Sequence, residues 1–139
     1  MKDVYYWVLN TNRKYNPEGR DEDDMLQNKK CAAYDVRKRQ IRQLEEGDVV
    51  FLYRNEHGII AFGEADENFD KNYHDGEKDQ EYSMKLKNFH TTKDKPLTAS
   101  EIKDITGNQK LVFGSTMFYI EKNGKKIKNE LQNRIDAFQ

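Results

Sequence analysis

A single cysteine, Cys31, leaves this chain unable to form an intrachain disulfide or a thiolate zinc cluster. No apolar run approaches the ~20 residues that cross a bilayer, and no signal-like apolar segment is present, so a cytoplasmic setting without membrane contact is expected. Apolar residues are themselves scarce: 35% of 139 residues, against roughly 45–50% in average globular chains. The surface must therefore be very polar. An excess of either charge is also missing, since 24 Lys and Arg face 25 Asp and Glu, which excludes a polyanion binder of the histone sort. There is no Walker loop, no G-x-G-x-x-G, no internal repeat and no low-complexity tract.

What is present is aromatic. Rings make up 12% of the chain, enough to bury a large area with few side chains, and this argues against disorder. One domain spanning residues 1–139 is the expectation for this length. Two apolar runs dominate it, Val49-Val50-Phe51-Leu52-Tyr53 and Ile59-Ile60-Ala61-Phe62, joined by Asn55-Glu56-His57-Gly58. They read as a strand hairpin closed by Gly58. Neither run alternates, so both faces of the pair should be covered, as in a barrel or sandwich.

Before the hairpin, Val4 to Leu9 reads as a first strand ending at Asn10-Thr11-Asn12, and Arg13 to Lys30 as a mobile flap tacked down by Met25-Leu26. Asp35 is placed as N-cap of an amphipathic helix from about Val36 to Glu46, stopped by Gly47. Six basic residues between Lys29 and Arg42 oppose only Asp35. After the hairpin, Asp66 to Gln80 reads as a polar excursion, and the stretch from Asp66 to Glu81 holds seven acidic residues against two basic. Tyr82 to Phe89 alternates as a half-exposed strand. Leu97-Thr98-Ala99-Ser100-Glu101-Ile102 carries a capping box with a hydrophobic staple, in a short helix ended by Gly107. Lys110 to Gly114 and Thr116 to Ile120 read as one or two strands. Ile127, Leu131, Ile135 and Phe138 fall on one face of a last helix, about 126–138, that either packs back on the barrel or leads toward a further domain.

An enzyme needs a nucleophile, base or metal site, and none is assembled here. His57, His74 and His90 are not at ligand spacing. Glu64 and Asp66 at a strand end read as hydrogen-bond acceptors. Cys31, next to basic residues, reads either as a thiol of lowered pKa or as inert core. No catalytic activity, metal or cofactor is expected.

Tyr6-Trp7 in a first strand, a basic helix, Gly47-Asp48-Val49-Val50-Phe51-Leu52-Tyr53 and Gly58-Ile59-Ile60-Ala61-Phe62-Gly63-Glu64-Ala65 together resemble an EVE domain, over roughly Tyr5 to Glu121. That family belongs to the PUA-like group with the YTH and ASCH domains. The resemblance implies an α+β fold, a small, strongly bent β-barrel of about five or six strands with flanking helices. It also implies a non-enzymatic domain that holds a modified nucleobase in a pocket. DNA is placed ahead of RNA, because domains of this look occur in modification-dependent restriction systems of the McrB type, whose other domains or subunits would then be partners. Two other readings stay open: an RNA-binding PUA-like module, and a domain that senses a small molecule or binds a protein.

Reading an altered base requires ring faces to sandwich it and polar groups for its edge. Tyr6, Trp7, Tyr34, Tyr53, Tyr82, Phe89 and Tyr119 supply rings. Carried over by position, the resemblance places the pocket at Asn10, Thr11 and Asn12, at Cys31, Ala33 and Tyr34, and at Tyr82 and Met84, with Tyr53 as a further ring. YTH domains have a tryptophan before the helix where this chain has Cys31-Ala32-Ala33-Tyr34, so a tyrosine-walled pocket is expected. Lys29, Lys30, Arg37, Lys38, Arg39 and Arg42 are the expected phosphate contacts.

Overall fold

The computed structural model describes residues 3–13, 16–74, 76–92 and 94–137. Strands β1 (Tyr6–Asn10), β2 (Lys30–Tyr34), β3 (Val49–Arg54), β4 (Gly58–His74), β5 (Glu77–Thr91) and β6 (Met117–Tyr119) form one sheet in the order β2-β5-β4-β3-β1-β6. Helices α1 (Arg20–Asn28), α2 (Ala99–Thr106) and α3 (Gly124–Asp136) flank it, with a 3-10 helix over Asp35–Gln43. Among the described residues only β1 and β3 run parallel. Register shifts at Leu52/Tyr53 and at three places between β4 and β5 mark bulges or other irregularities in the pairing, and bulges bend and twist a strand pair. The result is α+β, a strongly curled half-barrel with helices at its sides, the arrangement of a small PUA-like barrel.

The central hairpin is covered on both faces. Val50 and Leu52 join Trp7, Leu9, Ile41 and Tyr82 in one buried cluster. Val49, Phe51 and Tyr53 join Val8, Ile102, Ile127 and Leu131 in the other. Strand side chains alternate, so unbroken apolar runs supply both cores at once. Asp48, buried beside β3, accepts from Trp7 Nε1 at 3.1 Å and from the backbone N–H of Tyr5 and Glu45 at 3.2 and 3.0 Å, which ties β1 to the hairpin.

The capping box of α2 is complete: Thr98 Oγ1 accepts from Glu101 N, and the Glu101 carboxylate accepts from Thr98 N. Leu97 and Ile102 beside it are fully buried. Helix α3 packs back on the sheet through Ile127 and Leu131, with Ile135 half-buried; Phe138 lies outside the described residues.

Three expectations are corrected. Arg13 to Lys30 is not a flap, because it contains α1 and the start of β2. The buried face of α1 is Asp21, Glu22 and Met25; its carboxylates find cationic or histidine partners inside the fold, so no apolar stripe announces the helix. The helix expected over Val36–Glu46 is a 3-10 helix that starts at Asp35, which takes φ 52° rather than capping, and Gly47 lies beyond its end. At three residues per turn, Lys38, Ile41 and Leu44 share the inner face, and Val36 is left 92% exposed. Asp66 to Gln80 is no excursion but the far half of the β4–β5 hairpin, paired through Lys71↔Tyr82 and Asn72↔Glu81. Of the one or two strands expected over Lys110–Gly114 and Thr116–Ile120, one forms, β6, and Lys110 to Gly114 stays outside it.

Candidate functional site

The sheet order leaves β2 at one edge, while β1 at the opposite side pairs beyond β3 only with the three residues of β6. Where the curl brings β2 toward the end of β1, a cleft of about 530 Å³ opens. Asn10, Asn12, Ala33, Tyr34, Arg37 and Phe113 line it, with Ala32, Asp35, Val36, Asn55, Gly114 and Thr116 completing the wall. Volumes of this order suit small ligands.

Asn10 builds one side. Its backbone N–H donates to Thr116 O at 2.8 Å, and its Nδ2 donates to Phe113 O and Ser115 O, each at 2.9 Å. Both amide protons are thus used to fix the 113–116 segment without a strand, and Oδ1 is left as an acceptor with no partner among the described residues. Phe113 is braced from behind by Tyr53, stacked at 4.7 Å and 17°.

The other side rests on a polar chain. Asn12, held at φ 68°, donates from Nδ2 to Asp21 Oδ2 at 2.8 Å. His74 Nε2 lies 3.0 Å from Asp21 Oδ1, and the His74 ring stacks on Tyr34 at 4.2 Å and 29°. The Tyr34 hydroxyl is buried without a hydrogen-bond partner among the described residues. Burial, then the nearby Asp21, Glu81 and Asp24 carboxylates, push its pKa well above the phenol range, so it stays a neutral donor. Beneath Asn12, Thr11 Oγ1 donates to Glu22 Oε1 at 2.7 Å, and Arg54 grips both Glu22 oxygens. Burial works to raise the Glu22 pKa, yet the bonds from Arg54 and Thr11 and the charges of Arg54 and Arg13 outweigh it and hold the carboxyl below its usual range.

Of the expected pocket residues, the structure brings Asn10, Asn12, Ala33 and Tyr34 to the cleft. Thr11 stands behind the wall on Glu22, and Tyr53 behind Phe113. Cys31, Tyr82 and Met84 lie in the interior cluster and do not line the cleft. The Cys31 thiol donates to Met84 O at 3.6 Å, and burial pushes its pKa up to about 12, opposite to the lowering that basic neighbours suggest. His57, His74 and His90 are dispersed: the first is in the 54–58 turn, the second on Tyr34 and the third against Phe62.

The basic residues divide as well. Lys30 is no phosphate contact, because its ammonium is buried between Glu81 at 2.6 Å and Asp24 at 3.0 Å. Lys29 is exposed at the end of α1, Arg37 reaches the cleft, and Arg39 is exposed. Lys38 and Arg42 lie over rings of the β4–β5 hairpin. Sequence reasoning missed Asp35, Val36, Asn55, Phe113, Gly114 and Thr116 as lining residues; the one available signal for the 113–116 wall was Gly114-Ser115 interrupting an apolar run.

The same fold occurs in solved structures. A hypothetical protein from Leishmania major matches with a TM-score of 0.62 and 16% identity, over 95% of this chain and 97% of that one. A protein from Rhodopseudomonas palustris matches at 0.57 and 15%, over 94% of each chain. A protein from Pseudomonas syringae matches at 0.54 and 18%, over 91% of this chain and 99% of that one. These likenesses are of fold alone. No family model matches the chain, and no curated protein does.

Proposed function

We propose that this protein is a non-enzymatic, EVE-type reader that holds a modified nucleobase, most naturally a methylated base in DNA, in the cleft between β1 and β2. The observation that carries the reading is the cleft's composition. Rings of Tyr34 and Phe113 stand with the amides of Asn10 and Asn12, and the protein already engages both Nδ2 protons of Asn10 and one of Asn12. The free Oδ1 atoms then accept from an N–H on the edge of a flat heterocycle. Arg37 at the rim is placed for a neighbouring phosphate.

The setting proposed is the cytoplasm, as part of a modification-dependent restriction system. Among the described residues no helix is long and apolar enough to cross a membrane. The test is fluorescence anisotropy with short oligonucleotides that differ only in one methylated or hydroxymethylated base. The expected result is at least tenfold tighter binding of one modified form. Equal affinity for modified and plain strands would contradict the reading, and binding that depends steeply on salt without base preference would indicate plain phosphate attraction.

A further inference from the structure

Three cations converge on one ring where the 3-10 helix lies against the β4–β5 hairpin. Lys38 Nζ, Lys71 Nζ and the Arg42 guanidinium lie 5.2, 5.3 and 5.4 Å from the centroid of Tyr82, and Arg42 also covers Phe69 at 4.4 Å. A single aromatic face attracts cations only weakly and does not neutralise three that repel one another. No carboxylate among the described residues comes within ion-pair distance of any of the three, although β4 and β5 are rich in acids. Glu81 is engaged by Lys30, and Asp79 offers Lys38 its backbone carbonyl at 2.9 Å. Lys71 and Arg42 are exposed and Lys38 half-buried, so the cluster is open to solvent.

We infer that Lys38, Arg42 and Lys71 form a phosphate-binding site, and that its occupant is the backbone of the nucleic-acid strand whose base enters the cleft. Lys71 belongs to it although it lies in the most acidic stretch of the sequence. The 3-10 helix connects the two places. Asp35, Val36 and Arg37 at its start line the cleft, and Lys38 lies roughly 8 Å along the axis from Tyr34 at about 2 Å per residue. A strand with its base in the cleft therefore passes the three cations within its next few phosphates. This rests on the proposed function for the identity of the strand, but the phosphate chemistry stands on the cluster itself.

The test uses a single-stranded oligonucleotide with no modified base, so it does not depend on base recognition. Lys71→Glu is compared with Lys122→Glu, an equal charge change at an exposed lysine outside the site. The expected result is about tenfold weaker binding for Lys71→Glu, with a log–log salt slope smaller by about 0.7, and a change within about twofold for Lys122→Glu. Lys71→Gln, which adds no negative charge, serves if the first variant misfolds and should weaken binding about threefold. Inorganic pyrophosphate should shift the amide resonances of Lys71 and Tyr82 in the unaltered protein. Equal losses for the Lys71 and Lys122 variants, or no shift with pyrophosphate, would overturn the site. Loss of modified-base discrimination with the Lys71 effect intact would overturn the cleft reading and leave the site standing.

Discussion

Arg54, the last residue of β3, donates to both carboxylate oxygens of Glu22 in α1, with Nε at 3.0 and 3.1 Å and Nη2 at 2.6 Å. Glu22 is buried and also accepts from Thr11, so this one carboxylate joins helix, hairpin and the end of β1 under the cleft. Glu22→Ala should destabilise the protein by about 3 kcal/mol in urea denaturation, because it strands a partly buried guanidinium. The Glu22 pKa is held low in the fold, so its contribution is present above the pKa of an unfolded glutamate. It is lost as pH falls through the folded value. The wild type should therefore lose stability below about pH 4, and the variant should show a shallower acid limb.

Lys30 tests the division between structure and binding. Burial works to lower its pKa, but Glu81 and Asp24 more than compensate and hold it above the lysine range. A raised lysine contributes stability that is fully present below its unfolded pKa of ~10.4 and lost as pH rises through the folded value. Lys30→Met should lower the thermal midpoint by several degrees and flatten the alkaline limb, with oligonucleotide affinity of the folded fraction unchanged. Arg37→Glu, at the rim of the cleft, should weaken binding to all sequences alike.

The curled sheet and its hairpin were legible because both faces are buried: Val49 to Tyr53 and Ile59 to Phe62 need two cores and say so. Helix α2 was legible because its capping box is local. Helix α1 was not, since its inward carboxylates are matched by Arg54 and His74, 32 and 53 residues away. Charge in a sequence reads as solvent when its partner is distant. The far half of the β4–β5 hairpin hid for a related reason, its strands being held by backbone pairing through mostly polar positions such as Asp70↔Ser83 and Asn72↔Glu81. In the cleft, Asn10, Asn12 and Tyr34 could be named from strand ends. The Phe113 wall could not, because it depends on an Asn10 amide reaching backbone carbonyls more than a hundred residues on.

Tyr34 carries a buried hydroxyl that bonds to nothing among the described residues. A desolvated, unpaired hydroxyl costs about 1–3 kcal/mol. Tyr34→Phe should leave stability unchanged or raise it by up to about 1 kcal/mol, an unusual sign for a change at a residue only 8% exposed. A loss above about 1 kcal/mol in urea denaturation would show that the hydroxyl has a partner. Tyr34→Ala should abolish discrimination between modified and plain bases.

Cys31 is fully buried with its thiol near pKa 12, so almost no thiolate exists at neutral pH. A disulfide reagent at pH 8 should leave the native protein unmodified for hours and titrate one thiol at once in denaturant. Rapid native reaction would show that β2 opens from β5.

The central claim is that the cleft between β1 and β2, and no other surface, takes the modified base. NMR titration of the full chain with a modified oligonucleotide, subtracting the shifts caused by its plain counterpart, tests this most directly. The difference should concentrate on the side-chain amides of Asn10 and Asn12 and the backbone of Tyr34 and Gly114. Difference shifts confined to the Lys38–Arg42–Lys71 cluster or to α3, with those four residues unmoved, would contradict it.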